Sequence, residues 1–346
     1  MLEDDIMEQR HHRRILVTGG AGYVGSVLVP SLLQKGYTIT VLDTFWFWKN
    51  TDEYLQALGL GHSETSRLTL VDGDLRNPHD IQKALQGVTD VIHLACISND
   101  PSSELDPELT HSVNYTGSIL LIDMAKAMGV SRFIYASSSS VYGIKKEPNV
   151  TEDLPLEPLT QYSRLKVEIE HYLLHRLDET FKGVILRPST VCGYSPRQRL
   201  DVVVNILVNF AVNKGKIKVF GGEQLRPNIH IKDMVRAYEL LLEAPLEKIN
   251  AKIYNAGYEN LTVLQIAALV KEVVGPVTVE VESSDDPRSY HVNSDKIKNE
   301  LDFTSQHTVR QAILDLKGAF ENKKLPNLED IKYYNVKQMQ QIIKKL

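Results

Sequence analysis

Val17-Thr18-Gly19-Gly20-Ala21-Gly22-Tyr23-Val24-Gly25-Ser26 is the stretch on which the reading of this chain turns. Gly20, Gly22 and Gly25 satisfy G-x-G-x-x-G, and Gly19, Gly22 and Gly25 satisfy the related G-x-x-G-x-x-G. An apolar run over 14–18 precedes the loop and reads as a buried strand. Residues 26–35 follow with helical spacing and stop at Gly36, a C′ glycine. Glycine at these positions lets the chain turn tightly and lets backbone approach a diphosphate. The phosphates would then rest on N–H groups at the positive end of the helix. Gly19, Gly22, Tyr23, Val24 and Gly25 are the ligand-binding candidates of this loop.

The context strengthens the motif. A second β-branched run, 37–42, ends at Asp43, 18 positions beyond Gly25. A carboxylate there accepts hydrogen bonds from a ribose 2′-OH and repels a 2′-phosphate, which favours NAD over NADP. After the third strand come Asp72-Gly73-Asp74-Leu75, where an acid can reach an adenine amino group; a plain Asp-Gly turn is the competing reading.

Outward from the loop, strands alternate with helices. Strands are expected at 14–18, 37–42, 67–71, 90–94, 132–136 and 183–187, with helices at 26–35, 78–85, 109–128 and 161–177. Such alternation argues an α/β chain: a Rossmann-type doubly wound parallel sheet covered on both faces. After Pro188 the pattern loosens to helices at 202–212, 232–242 and 263–273 and strands at 217–220 and 277–281. The expected organisation is a charged arm over 1–13 and a nucleotide-binding domain over 14–188. A smaller α/β substrate domain follows over 189–325, some of whose elements return to the first, and a helical extension covers 326–346. In that extension Val336, Met339, Ile343 and Leu346 form one apolar stripe, which suits a helix docked on its own domain or, alternatively, a dimer contact.

The fifth strand runs into Ser137-Ser138-Ser139-Ser140-Val141-Tyr142-Gly143, and further on stands Gln161-Tyr162-Ser163-Arg164-Leu165-Lys166. Tyr162 and Lys166 are four apart on an expected helix and share a face. A free tyrosine is a poor base at neutral pH. A nearby ammonium and a cationic nicotinamide both favour its phenolate. Tyr162 could then exchange a proton with a substrate hydroxyl held by a serine. Either motif alone is unremarkable, as a helix surface or a polar turn; their order along the chain is not.

Together these motifs resemble the extended short-chain dehydrogenase/reductases of the NAD-dependent epimerase/dehydratase family, which act on nucleotide sugars. The resemblance runs from about Ile15 to Phe320. It is carried by the glycine loop, Gly73-Asp-Leu-Arg76, His93-Leu-Ala-Cys96, Asn114-Tyr-Thr-Gly117, the serine cluster and Tyr162-Ser-Arg-Leu-Lys166. Leu186-Arg-Pro188 and Ile229-His-Ile-Lys-Asp233 extend it. It implies Ser138, Tyr162 and Lys166 as catalytic residues and NAD as cofactor. Asp43, Asp74, Leu75, Ala95, Asn114 and Ser137 would join the loop, Tyr162 and Lys166 around that cofactor. Ser138, Ser139, Asn205, Arg226 and Arg288 would contact a nucleotide-diphosphate sugar, the arginines because their planar fork binds phosphate. Surface salt-bridging is the competing reading for both arginines. A homodimer is implied through the helices bearing Asn114 and Tyr162.

Family members share oxidation of a sugar hydroxyl, usually at C4, and differ afterwards. Dehydratases carry Asp-Glu directly after the catalytic Ser/Thr, where this chain has Ser139 and Ser140, neither useful as a general base near neutral pH. Epimerase–reductases of fucose-type sugars carry cysteine where Ser140 stands. What remains is a nucleotide-sugar 4-epimerase, or alternatively a 4-dehydrogenase or 4-keto reductase; a non-catalytic NAD-binding sensor is disfavoured by the intact Ser138, Tyr162 and Lys166. Ser98 and Cys192 depart from the galactose-epimerase pattern. The segment Ser195-Pro-Arg-Gln-Arg-Leu-Asp201 resembles enzymes of bacterial surface-polysaccharide synthesis.

Composition narrows the rest. The 346 residues are 42% hydrophobic with a net charge of −5, which gives no electrostatic footprint for nucleic acid. Two cysteines exclude a disulfide framework and a cysteine-based zinc site. No histidine spacing suggests a metal. The first fourteen residues hold no apolar leader and no run is long enough for a bilayer, so a cytoplasmic, non-membrane enzyme is expected.

Overall fold

The computed structural model describes residues 10, 13–145, 147–283 and 291–346. Seven parallel strands form its main sheet: β1 (Arg14–Thr18), β2 (Thr38–Asp43), β3 (Leu68–Asp72), β4 (Asp90–His93), β5 (Arg132–Ala136), β6 (Lys182–Pro188) and β10 (Lys252–Ala256). Their order is β10-β6-β5-β4-β1-β2-β3. The chain therefore winds outward from β1 in one direction and then restarts at β4 on its other side. The crevice between the C-terminal ends of β1 and β4 is the topological switch point where such sheets bind ligands.

The continuous apolar character of β1 reflects burial on both faces. Ile15 and Val17 point into one core cluster with α1 (Gly25–Gln34), while Leu16 points into the opposite cluster with α4 (Gly117–Ala127) and α5 (Gln161–Arg176). The intervening helices are α2 (Thr51–Leu58) and α3 (Pro78–Ala84). The long helix expected over 109–128 is interrupted by a π-helical turn, His111–Thr116, immediately before α4.

The boundary expected at Pro188 does not separate the layers. Strand β10 pairs in parallel with β6, Tyr254 opposite Leu186, and with Lys252 and Asn255 in its five residues is too polar to have been recognised as a core strand. Helix α7 (Ile231–Glu243) also returns, packing Met234, Tyr238, Leu241 and Leu242 into the first core cluster beside α1. Its amphipathic pattern reveals a buried face but not which sheet buries it. What remains is a smaller unit. It comprises α6 (Val203–Lys214), α8 (Val263–Val274) and α10 (Val309–Glu321) around their own core, with β8 (Lys216–Phe220) beside β12 (Thr278–Glu282). A three-stranded sheet, β11 (Glu259–Thr262), β9 (Leu225–His230) and β7 (Thr190–Cys192), joins the two units. The short α9 (Asp295–Leu301) packs Ile297 into the first core.

The C-terminal helix α11 (Asn335–Ile343) docks on its own chain, burying Met339 and Ile342 against Ile97 with Trp46, Phe47 and Val113 alongside. Ile342 takes the place on the buried face that the apolar stripe assigned to Leu346, which is 69% exposed. Among the described residues no helix is long and apolar enough to cross a membrane.

At the switch point β1, β4 and α4 are tied by one buried side chain. His93 Nδ1 lies 2.7 Å from Thr18 Oγ1 and Nε2 lies 2.8 Å from Ser118 Oγ. Ser118 gives its own proton to the Asn114 carbonyl, so Nε2 donates to Ser118 and Nδ1 accepts from Thr18, the neutral tautomer. Burial, with Lys166 nearby, lowers the imidazole pKa to about 3. An unfolded histidine titrates near 6.5, so the unfolded chain binds more protons between these values. Stability from His93 is thus present above about pH 6.5 and declines towards pH 3, with a slope of at most about 1.4 kcal/mol per pH unit. The free energy of equilibrium unfolding across this window should fall less steeply with falling pH in His93→Gln than in the native protein, by up to that slope.

Candidate active site

Every main-sheet strand except the edge strand β10 sends its C-terminal end to one cavity of about 430 Å³. The glycine loop follows β1, and Asp43 ends β2. Gly73, Asp74 and Leu75 follow β3, Ala95 follows β4, Ser137–Ser140 follow β5, and Pro188–Val191 close the wall after β6.

The loop glycines earn their places by close approach. Gly19 has φ +69°, and a Cβ there would lie 2.7 Å from the backbone of Ala95. A Cβ on Gly25 would lie 2.5 Å from the Gly19 carbonyl oxygen, so the start of α1 can press on the end of β1 only as glycine. Asp43 braces the turn: Oδ2 accepts from Ala21 N–H at 3.0 Å and Oδ1 from Phe45 N–H at 2.9 Å. Burial pushes the Asp43 carboxyl above its ordinary range, opposed by these two N–H donors and by Arg197. Asp74 differs. Against the cost of its burial, Arg76 holds its carboxyl below the usual range through a 2.6 Å ion pair.

Helix α5 starts at a capping box built from Thr160 and Ser163, and this sets the height of its first two turns. Tyr162 stands in the first turn and lines the cavity together with Ser138. Lys166, one turn later, is buried; Nζ donates to the Ala136 carbonyl at 2.7 Å and lies 5.7 Å from the centre of the Tyr162 ring. Ser138 Oγ accepts from Ser140 N–H at 3.1 Å and Ser140 Oγ–H at 2.9 Å. Burial drives the Tyr162 phenol well above its ordinary value, and Cys96 and Asp100 push the same way; Ser138 and Arg199 oppose them. In this state the site holds Tyr162 protonated.

Ser137 and Ser139 also line the cavity. The Ser137 hydroxyl donates to Glu170, whose carboxylate forms a buried 2.6 Å pair with Arg187. Arg226, near the start of β9, also lines the cavity.

Two expected contacts are corrected by the geometry. Asn114 is off the cavity wall: its amide clips the Ile97 backbone, accepting from N–H at 2.7 Å and donating to the carbonyl at 3.1 Å. Asn205 is fully buried between Gly193 N–H (3.0 Å), the Arg199 carbonyl (2.8 Å) and Tyr23 Oη (3.0 Å), leaving no donor or acceptor for a ligand. Arg288 lies outside the described residues. Cys192 sits in the core of the smaller unit, where burial raises its thiol pKa.

Sequence reasoning missed three contributors. Trp46, Phe47 and Trp48 form a cavity wall directly after Asp43, and the run Phe45-Trp-Phe-Trp48 was a visible signal. Arg197 and Arg199 line the cavity from Ser195-Pro-Arg-Gln-Arg, a spacing that was legible. Asn335 and Met339 reach the cavity from α11, and no local pattern marks them.

Comparison with known proteins agrees with this geometry. The NAD dependent epimerase/dehydratase family matches residues 15–257. A UDP-glucose 4-epimerase of Corynebacterium glutamicum is 28% identical, covering 89% of this chain and 95% of that protein. The UDP-glucose 4-epimerase of Bacillus subtilis is 30% identical over 75% of this chain and 82% of its own length. Among solved structures, a UDP-glucuronic acid 4-epimerase from Bacillus cereus, in complex with UDP-glucuronic acid and NAD, superposes with a TM-score of 0.78. It is 26% identical and covers 89% of this chain and 99% of its own.

The contacts at Gly25 generate a prediction. Gly25→Ala forces a methyl against backbone atoms that cannot rotate away, so it should destabilise the fold by about 1–3 kcal/mol, read as a lowered denaturation midpoint. Gly129→Ala leaves the added methyl in open space. Its positive φ alone should make it the milder change, so a larger loss there than at Gly25 would refute the close-packing account.

Proposed function

Because the chain belongs to the NAD dependent epimerase/dehydratase family, we propose that it is an NAD-dependent nucleotide-sugar 4-epimerase. It would invert the C4 hydroxyl of a nucleotide-diphosphate sugar through a transient 4-keto sugar. The observation that carries the reading is that Ser138, Tyr162 and Lys166 meet on the wall of the glycine-loop cavity, with Lys166 Nζ 5.7 Å from the centre of the Tyr162 ring.

The residues fit the cofactor. The glycine loop lies too close to β1 and β4 for a Cβ at Gly19 or Gly25, which keeps its backbone bare beside the cavity, and Asp43 stands where a ribose diol would hydrogen-bond. NAD held there would supply the acceptor and donor of hydride. Gly19, Gly22, Tyr23, Val24 and Gly25 would take its diphosphate side, with Asp43, Asp74 and Leu75 around the adenosine and Ala95, Ser137 and Lys166 around the nicotinamide ribose. Tyr162 would exchange the proton of the C4 hydroxyl, and Ser138 would donate to the same oxygen. Its Oγ accepts from Ser140, which leaves its own proton free for that bond. Lys166, anchored on Ala136, would stabilise the phenolate whenever Tyr162 gives up its proton. Ser139 and Arg226 would contact the nucleotide sugar. Ser139 and Ser140 offer no general base for eliminating water. We also propose a cytoplasmic homodimer serving surface-polysaccharide synthesis, on the family resemblance and the Ser195–Asp201 segment.

The test is turnover of UDP-, GDP-, dTDP- and CDP-sugars by the purified protein, with products resolved by mass and stereochemistry. An isomer of unchanged mass is expected. A product lighter by two hydrogens, with NADH accumulating, would make it a 4-dehydrogenase; reduction of a 4-keto sugar at the expense of NADH would make it a reductase. Loss of one water would refute the reading of Ser139 and Ser140. Tyr162→Phe should lower turnover by about 10²–10⁴-fold while NAD affinity, measured by calorimetry, stays unchanged. Activity surviving at the wild-type level would sink the assignment of Tyr162.

A further inference from the structure

Arg197 is 4% exposed and lines the cavity, and among the described residues it has no carboxylate within ion-pair distance. Its neighbour Arg199 is different, because it pairs with Asp201 at 2.9 Å. Arg197 makes one hydrogen bond, from Nη2 to Asn335 Oδ1 at 2.6 Å, and its buried Nε has no partner. The guanidinium carbon lies 3.7 Å from the centre of the Phe47 ring. Burial, with the like charge of Arg199, lowers its pKa to about 9, still cationic at neutral pH.

Asp201 and Asp43 act on Arg197 only at a distance, and a buried cation without a paired carboxylate is costly, a cost that a bound anion would offset. The surroundings say which anion. Tyr23 Oη donates to the Gly193 carbonyl at 2.7 Å, and Ser195 Oγ donates to the Tyr23 carbonyl at 2.7 Å. The segment carrying Arg197 is thereby fastened to the phosphate loop. Both arginines feel Tyr23 of the phosphate loop, but Asp43 is felt by Arg197, and Tyr162 by Arg199. Asn335 is itself fixed, its N–H on Asp201 Oδ2 at 2.8 Å and its Nδ2 on Ser98 Oγ at 2.9 Å. A planar fork held between an aromatic face and a fixed amide is preorganised for a diphosphate.

We infer that Arg197 is a ligand for the diphosphate of the dinucleotide, and that Asn335 of the C-terminal helix is its positioning residue, so that α11 completes the cofactor site. This rests on the dinucleotide reading above. The chemistry alone would also admit the diphosphate of the nucleotide sugar, and the experiment separates the two.

The full-length protein, freed of bound nucleotide, is titrated with NAD and separately with UDP, and melted with and without each. Arg197→Met should weaken NAD by about 10–100-fold and leave UDP affinity within about twofold. Its ligand-free melting temperature should not fall, because a buried unpaired charge has been removed, while the NAD-induced rise should shrink. Arg197→Lys keeps the charge without the fork and should lose less. Asn335→Ala should weaken NAD by several-fold alone and have no further effect beside Arg197→Met, which separates positioning from general stability. Weakened UDP with unchanged NAD would overturn the assignment to the dinucleotide. Unchanged NAD affinity in both Arg197 variants would overturn the inference while the dinucleotide reading stands. A wild-type protein that binds no NAD would overturn both.

Discussion

The close approach of the Gly19–Gly25 backbone to the ends of β1 and β4 is the constraint from which the rest of the molecule follows. Side chains cannot enter at Gly19 or Gly25, where a Cβ would meet Ala95 or the Gly19 carbonyl at 2.5–2.7 Å. That contact sets α1 against the sheet and leaves the N–H groups at its start facing the crevice. Parallel pairing then places the C-terminal ends of the other main-sheet strands on the same edge of the sheet. Asp43 and the serine cluster therefore converge without any local signal that they should. The His93 relay ties the rim at the switch point, joining Thr18, Ser118 and the Asn114 carbonyl in one buried chain.

Much of this was legible because it is local. The apolar run of β1, the glycine spacing, Asp43, and Tyr162 and Lys166 at helical separation are each read within a few residues, and burial on both faces makes the parallel strands conspicuous. What escaped is non-local. Strand β10 carries Lys252 and Asn255 and pairs with β6 across more than sixty intervening residues. Helix α7 is plainly amphipathic, but nothing in its sequence says that it packs beside α1. Asn114 and Asn205 were expected as ligand contacts, yet their partners include backbone groups, Ile97, Gly193 and Arg199, that only folding brings within reach. The same limit hid Asn335, which reaches the cavity from the far end of the chain.

The cavity's electrostatics show why its groups cannot be read one at a time. Glu170 and Arg187 neutralise each other under the serine cluster, and Asp201 neutralises Arg199. These pairs orient their neighbours: Glu170 takes the Ser137 proton, and Asp201 fixes the Asn335 backbone. They supply shape, and their charges are already spent.

Two groups that face the cavity stand outside these pairs. Arg197 is a buried cation that has no carboxylate within ion-pair distance among the described residues, and Tyr162 is a buried phenol kept protonated by desolvation, Cys96 and Asp100. The two are opposite halves of one arrangement. A phenol can release its proton in such a place only when positive charge is near, and a guanidinium can remain there only at a cost until negative charge arrives. A bound molecule carrying both a diphosphate and a cationic ring would lower both costs at once. Each penalty taken alone looks like poor design. Together they make the site sensitive to one ligand of that charge pattern, and they tie the readiness of Tyr162 to the occupancy of a cavity closed by the last helix of the chain.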